Sequence, residues 1–295
     1  MNSLTQNDGI IFLGGLFQDK TSFRSLLYYC FQILLARLLQ TKVVFYAVGI
    51  GPLQRKISRF LFNSAINSVN LLTLRDESSA QLTPYKQNAA VTCDPVWSIE
   101  GDFSFQNKIP SINWQSYIVG VSLKRDKNLK EYHLTFLAEK LSKALSDMKD
   151  WQLVLIPCMP QEDLPVLFEL YSLITRKIGT SNRIFIVDNF SEFPIAQQAG
   201  ILASCDVMVG MRYHALLVPL TNGKPVFGLV YDQKVKSLLD FTSQVSVTFR
   251  DSFEQPWNYF WQNLERSANI AKEASIRANQ LHKINIELLN TVFNT

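Results

Sequence analysis

Short apolar runs alternate with amphipathic stretches along most of the 295 residues. Apolar runs bounded by Gly, Pro, Asn or Asp predict strands at 10–13, 43–47, 70–74 and 89–92. After a break, further strands are predicted at 117–123, 152–156, 183–187, 206–209 and 225–229. Amphipathic stretches predict helices at 23–39, 55–68, 77–82, 130–149, 164–177, 193–204, 215–221 and 235–240. Strand and helix alternating in this way is the mark of βα units and a mostly parallel sheet. Between residues 94 and 115 the periodicity fades, and Asp94-Pro95 and Ile109-Pro110 fall there. That break divides the chain into two Rossmann-like lobes, 1–112 and 113–295, with a ligand cleft expected between them. From 253 to 289 the pattern turns helical: Trp257, Phe260, Trp261 and Leu264, then Ile270, Ala274, Ala278 and Leu281. One long C-terminal helix packing across both lobes is expected.

Composition narrows the function classes. Lys and Arg total 29 against 25 Asp and Glu, a net +4 spread along the chain. No basic stripe or nucleic-acid module stands out, so nucleic acid is not an expected partner. Cys30, Cys93, Cys158 and Cys205 each lie in or beside apolar sequence without a short paired spacing. They read as buried thiols of a reducing compartment. His133, His214 and His282 are too scattered for a zinc site, and no metal is expected. The polar start, Met1-Asn2-Ser3-Leu4, is unlike a signal peptide. The most apolar window, 26–39, is interrupted by Gln32 and flanked by Arg24 and Arg37. It falls short of the ~20 apolar residues of a membrane span and reads as a buried core helix. The expected location is cytoplasmic, with peripheral attachment at the inner membrane face left open.

Candidate chemistry sits at strand ends. Gly210-Met211-Arg212-Tyr213-His214-Ala215 follows the strand at 206–209, and Tyr231-Asp232-Gln233-Lys234 follows the next one. In an open α/β sheet, ligands bind outside the carboxyl ends of the strands. Arginine offers a planar fork for carboxylate or phosphate, and histidine exchanges a proton near neutral pH. If Arg212 and His214 act on one ligand, 211–214 is expected to be a strand end or turn, with the helix starting afterwards. The structural alternative is an arginine paired to a carboxylate and a histidine satisfied in the core. Lys124 and Arg125 end the strand at 117–123 and read equally as ligand groups or surface charges. Asp232 reads either as a helix N-cap or as a partner for Lys234 or a sugar hydroxyl. In the first lobe, Gly14-Gly15-Leu16-Phe17-Gln18-Asp19, Gly49-Ile50-Gly51-Pro52 and Arg75-Asp76-Glu77-Ser78-Ser79 follow successive strands. None is a P-loop or a dinucleotide fingerprint.

These segments, with Gly120-Val121-Ser122-Leu123-Lys124 and Tyr231-Asp232-Gln233-Lys234-Val235, resemble the polysaccharide pyruvyl transferase family in content and order. The resemblance implies a two-lobed fold like that of the GT-B glycosyltransferases. It implies transfer of a pyruvyl group from phosphoenolpyruvate to a sugar of a cell-surface polysaccharide or its precursor. The products would be a pyruvate ketal and phosphate, with phosphoenolpyruvate as donor substrate and no separate cofactor. Carried over, Arg212, Tyr213, His214, Lys124 and Lys234 bind phosphoenolpyruvate, and His214 is the candidate general acid. Arg125 is a substitute donor, because this chain has Lys124 where the family usually has arginine. Gly14, Gly15, Gln18, Asp19, Gly49, Gly51, Arg75 and Asp232 are expected on the acceptor or cleft side. The acceptor is expected to be a sugar, free or lipid-linked. Against the family pattern, the first lobe is expected to lack one or two βαβ units of ~30 residues or more at its start. The competing readings are a GT-B glycosyltransferase using a nucleotide sugar and an inactive sugar-binding remnant.

Overall fold

The computed structural model describes residues 9–20, 22–83 and 89–293; the polar start at 1–8 lies outside them. The chain forms two compact units, Met1–Trp97 with Arg277–Thr295, and Ser98–Ile276.

In the first unit, β1 (Gly9–Leu13), β2 (Lys42–Val48), β3 (Leu71–Leu74) and β4 (Ala89–Val91) lie side by side in chain order, all parallel. Helices α1 (Phe23–Leu38) and α2 (Lys56–Ile66) are the crossovers, and α3 (Glu77–Ala80) is a single turn. Right-handed crossovers between strands in sequential order put α1 and α2 on one face of the sheet. Phe12, Phe17, Phe45 and Phe62 fill that layer with Leu26, Ile33 and Ala36, and Phe17 stacks on Phe45 at 4.8 Å. The other face, Val44, Tyr46, Ala47 and Leu71, packs against Leu288, Leu289, Val292 and Phe293 near the end of the chain. The window expected to be a buried core helix is buried on one face only. Leu26, Cys30, Ile33 and Ala36 point inward, whereas Leu27, Phe31, Leu34 and Leu38 are exposed.

The second unit has six parallel strands: β5 (Tyr117–Ser122), β6 (Trp151–Leu155), β7 (Ile184–Ile186), β8 (Val207–Gly210), β9 (Val226–Val230) and β10 (Ser246–Thr248). Their order is β10-β9-β8-β5-β6-β7. The connecting helices are α4 (Glu131–Asp147), α5 (Pro160–Ile178), α6 (Ile195–Ala203), α7 (Tyr213–Thr221) and α8 (Gln233–Phe241). Because β5 pairs with both β6 and β8, the order reverses between β5 and β8. That reversal defines the crevice outside their carboxyl ends. Gly120 makes the pairing tight: a Cβ there would lie 2.6 Å from Cys205 Sγ and Met208 Cε.

Residues 98–112 join the second unit, not the first half in which their fading periodicity places them. The backbone N–H of Asp102 donates to Ala196 O at 2.8 Å, Gln197 donates to Asp102, and Phe105 meets Trp114 edge-on. The predicted C-terminal helix is two helices, α9 (Glu254–Gln262) and α10 (Leu264–Phe293). Asn263 leaves helical backbone geometry, and its side chain donates to Tyr259 O at 2.8 Å. Residues of α10 through Ile276 belong to the second unit, and those from Arg277 belong to the first.

Candidate active site at the sheet switch point

The carboxyl ends of β5 and β8 carry Ser122-Leu123-Lys124 and Gly210-Met211-Arg212 into the switch-point crevice. The Ser122 hydroxyl is buried and donates to Ile156 O at 2.9 Å, so it braces β5 against β6 and is not a free nucleophile. Arg212 ends extended backbone at φ −72°, ψ 127° and caps α7, which starts at Tyr213. The helix therefore starts inside 211–214, at Tyr213, and not after it as expected. Arg212 turns toward α5, while Tyr213 and His214 occupy the first turn of α7. Their rings meet edge-on at 5.3 Å, and His214 is exposed.

Arg212 has carboxylate partners. Its Nε and Nη2 donate to the fully buried Asp163, at 3.1 and 2.6 Å to Oδ1, and Nη2 also donates to Glu162 Oε2 at 2.7 Å. Burial opposes the guanidinium charge, but the hydrogen bonds it donates to Asp163 and Glu162 outweigh it and raise its pKa. Glu162 is held below the usual carboxylate range, first by the Arg212 hydrogen bond and charge, then by Lys124. Lys124 Nζ lies 3.8 Å from the same Glu162 Oε2 and 4.8 Å from the centre of the Tyr231 ring. Glu162 thus occupies, with its own carboxylate, the point where both cations converge. At 49% side-chain exposure Glu162 is open to displacement, whereas Asp163 at 0% is not.

The remaining predicted residues fall around this pair. Arg125 is directed elsewhere, to Glu169 at 3.0 Å on the surface. Asp232 is the N-cap of α8, accepting the Val235 N–H at 3.0 Å, and Lys234 is exposed in the first turn of that helix. Burial and the neighbouring Asp232 push the Tyr231 hydroxyl up, so it stays protonated at neutral pH. Tyr231 also walls a cavity of about 390 Å³ whose lining includes the cations Lys130 and Arg250. Cys158 Sγ lies 3.5 Å from Ser122 Oγ, and burial raises its pKa to about 11, so no thiolate nucleophile is poised here. All four cysteines are free.

In the first unit, the three motif loops meet along the carboxyl edge of the sheet and hold one another. Gly49 N–H donates to Gly14 O at 3.1 Å, Gly51 N–H donates to Phe17 O at 2.7 Å, and Phe17 bridges to Ile50. Buried Asp19 accepts the Gln54 and Arg55 N–H groups, both at 2.8 Å, and so anchors the chain as it enters α2. Burial works against its charge, yet these hydrogen bonds keep its pKa low. Arg75 is buried against Asp76 at 3.2 Å and Asp94 at 3.4 Å. A Cβ at position 49 would sit 2.5 Å from Arg75 Nη2, which explains the glycine there. Gly14 and Gly51 adopt φ values of +84° and +91°. Asp19, Arg75, Gly49 and Gly51 thus build the loop framework. Its open tip is half-buried Gln18 and exposed Gly15, where a Cβ would meet nothing within 4 Å.

Glu162 and Asp163 are site residues that the motif pattern does not single out. A signal for them is present nonetheless. Pro160-Gln161-Glu162-Asp163 follows β6, and Pro at a first helical position with acids in the first turn marks a helix start at the same sheet edge.

Solved structures share this fold. The UDP-GlcNAc 2-epimerase from Neisseria meningitidis bound to UDP-GlcNAc is 13% identical, with a TM-score of 0.59 over 98% of this chain and 79% of that one. Anabaena Alr3699/HepE in complex with UDP-glucose is 16% identical, with a TM-score of 0.55 over 100% of this chain and 80% of that one. No curated protein sequence matches the chain significantly. The fold is Rossmann-like and of the GT-B type. Within it the family is specific: the polysaccharide pyruvyl transferase family model matches residues 2–233, and the chain belongs to that family. It is accordingly a transferase. Among the described residues, no helix is long and apolar enough to cross a membrane.

Proposed function

We propose that the chain transfers a pyruvyl group from phosphoenolpyruvate to two hydroxyls of a sugar in a cell-surface polysaccharide or its precursor. The observation that carries this reading is the convergence of Lys124 and Arg212 on one displaceable carboxylate at the switch point. Phosphoenolpyruvate brings a carboxylate and a phosphate, and paired cations in a partly dehydrated crevice suit both. Arg212 is held by Asp163, so the ligand would take the place of Glu162 and leave Asp163 bound. Lys234 and Tyr213, on the first turns of α8 and α7, are proposed further contacts to the donor. His214, exposed in that same first turn of α7, is the proposed general acid.

The proton balance closes without a cofactor. A proton added to the methylene carbon makes a methyl group and leaves the adjacent carbon electrophilic. One sugar hydroxyl attacks that carbon and releases its proton. The second hydroxyl displaces phosphate from it and releases another. One of the two hydroxyl protons replaces the proton spent on the methyl group, and the other leaves with phosphate. The open loop tip at Gly15 and Gln18 is our candidate acceptor contact.

A phosphate-release assay with phosphoenolpyruvate and a panel of sugar acceptors tests the reading. Release that depends on both substrates supports it; no release with any acceptor sinks it and favours a sugar-binding role. A nucleotide-sugar donor is the second reading, because Alr3699/HepE was solved with UDP-glucose. Whichever donor binds the native state raises the melting temperature, so thermal shift with phosphoenolpyruvate and with UDP-sugars separates the two. Glu162→Gln removes the internal competitor and keeps the volume. Its KM for phosphoenolpyruvate should fall about twofold to fivefold, the range of a half-exposed ion pair. A rise in KM would mean that Glu162 helps to bind the donor.

A further inference from the structure

Helices α1 and α2 of the first unit have an outer face that no surface helix in water needs. A water-facing helix is polar on its outer side. Here Leu27, Phe31, Leu34 and Leu38 form one exposed stripe along α1, and Ile57 and Phe60 are exposed on α2. Phe31 is 63% exposed, Phe60 66% and Leu38 78%, so these side chains are not grazing the core. The inward stripe, Leu26, Cys30, Ile33 and Ala36, is already satisfied in the core, so the outer stripe is a second apolar surface.

The charge around this surface has one sign. Residues 20–70 contain no Asp or Glu, although the whole chain carries 25. Arg24, Arg37, Arg55, Lys56 and Arg59 are all exposed on or beside the two helices. Arg55 also lies over the Phe23 ring at 5.0 Å, which joins the basic and aromatic parts of the face. The modest net charge of the chain conceals this concentration.

We propose that the α1–α2 face docks on an anionic lipid surface, with the apolar stripe in the headgroup boundary and the cations on the phosphates. Large aliphatic and aromatic side chains flanked by Arg and Lys are the composition of interfacial helices. A second copy is disfavoured by the same charges. Two such faces packed together would set cations against cations, with no carboxylate from residues 20–70 between them. Nucleic acid would neutralise the charge but would leave Leu27, Leu34 and Leu38 without a partner.

The test uses the full chain with vesicles of phosphatidylcholine alone or mixed with phosphatidylglycerol. The chain should co-sediment with the mixed vesicles only, and high salt should release it. Each cation removed should weaken binding roughly fivefold, so Arg24→Gln with Lys56→Gln should weaken it roughly 25-fold. Phe31→Ser with Leu38→Ser and Phe60→Ser should abolish it, with the melting temperature retained because these side chains are exposed. If that variant unfolds, the charge variant and the salt series decide by themselves. Equal binding to neutral vesicles, or none to either, overturns the proposal. So does a concentration-dependent dimer in sedimentation velocity that ignores vesicles. None of these readouts depends on phosphoenolpyruvate turnover, so this inference and the proposed activity fail separately.

Discussion

Asp163→Ala should lower the stability of the protein by about 3–5 kcal/mol, the cost of removing one partner from a buried ion pair. Asp163 is fully buried and meets three demands at once. It accepts Arg212 Nε and Nη2, and it accepts the Met159 N–H at 2.9 Å, which caps the first turn of α5. Alanine leaves a guanidinium only 12% exposed with Glu162 as its remaining carboxylate partner. Glu162 is half exposed and cannot replace the lost shielding, so the effect belongs within that range and not far below it. At the scale of roughly 2–4 °C per kcal/mol for domains of about 150–250 residues, the melting temperature should fall by roughly 10 °C. Urea unfolding of the variant and of Asp163→Asn reads the two contributions. Asparagine can still accept the Met159 N–H but cannot balance the arginine, so it should recover only part of the loss. A change below about 1 kcal/mol for alanine would show that the pair adds nothing, and Arg212 would then be free to serve a ligand without Asp163.

The parts of this fold that sequence exposes are those with a repeating physical demand. Strands of a parallel sheet are buried on both faces, so Val43-Val44-Phe45-Tyr46-Ala47 and Val226-Phe227-Gly228-Leu229 appear as unbroken apolar runs. The edge strand β10 escapes such a reading, because Ser246-Val247-Thr248 buries only Val247 and carries no apolar run. Apolar periodicity starts α5 at Leu164, although Pro160 and the acids behind it set the true start. That error of one turn hides Glu162 and Asp163. The sheet edge of the site is legible, since Lys124 and Arg212 follow apolar runs that become neighbouring strands. What each side chain does there is not. Arg212 and Asp163 are 49 residues apart, and no local pattern links them. Likewise Asp19 and Arg75 look like ligand groups in the sequence, while the fold uses them to anchor the chain entering α2 and to tie the loops after β3 and β4 together. Motif order thus identifies the family, and only packing separates framework from exposed side chains.

That separation makes His214 the sharpest test of the proposed reaction. Unlike Asp163 it is exposed, so His214→Ala should leave the melting temperature unchanged while phosphate release from phosphoenolpyruvate falls by about 100-fold or more. A group that acts only as the proton moves lowers kcat and kcat/KM together and leaves KM alone. Lys124→Ala should show the opposite split, with a raised KM, because its charge faces Glu162, the place proposed for the donor. Steady-state kinetics of the two variants, paired with their melting curves, therefore sort the roles. Near-normal turnover in His214→Ala would remove it as general acid and move the proton source to another group at the crevice. Loss of turnover together with a large fall in melting temperature would make its role structural. A pure kcat effect in a stably folded variant is the outcome that assigns the proton transfer to His214.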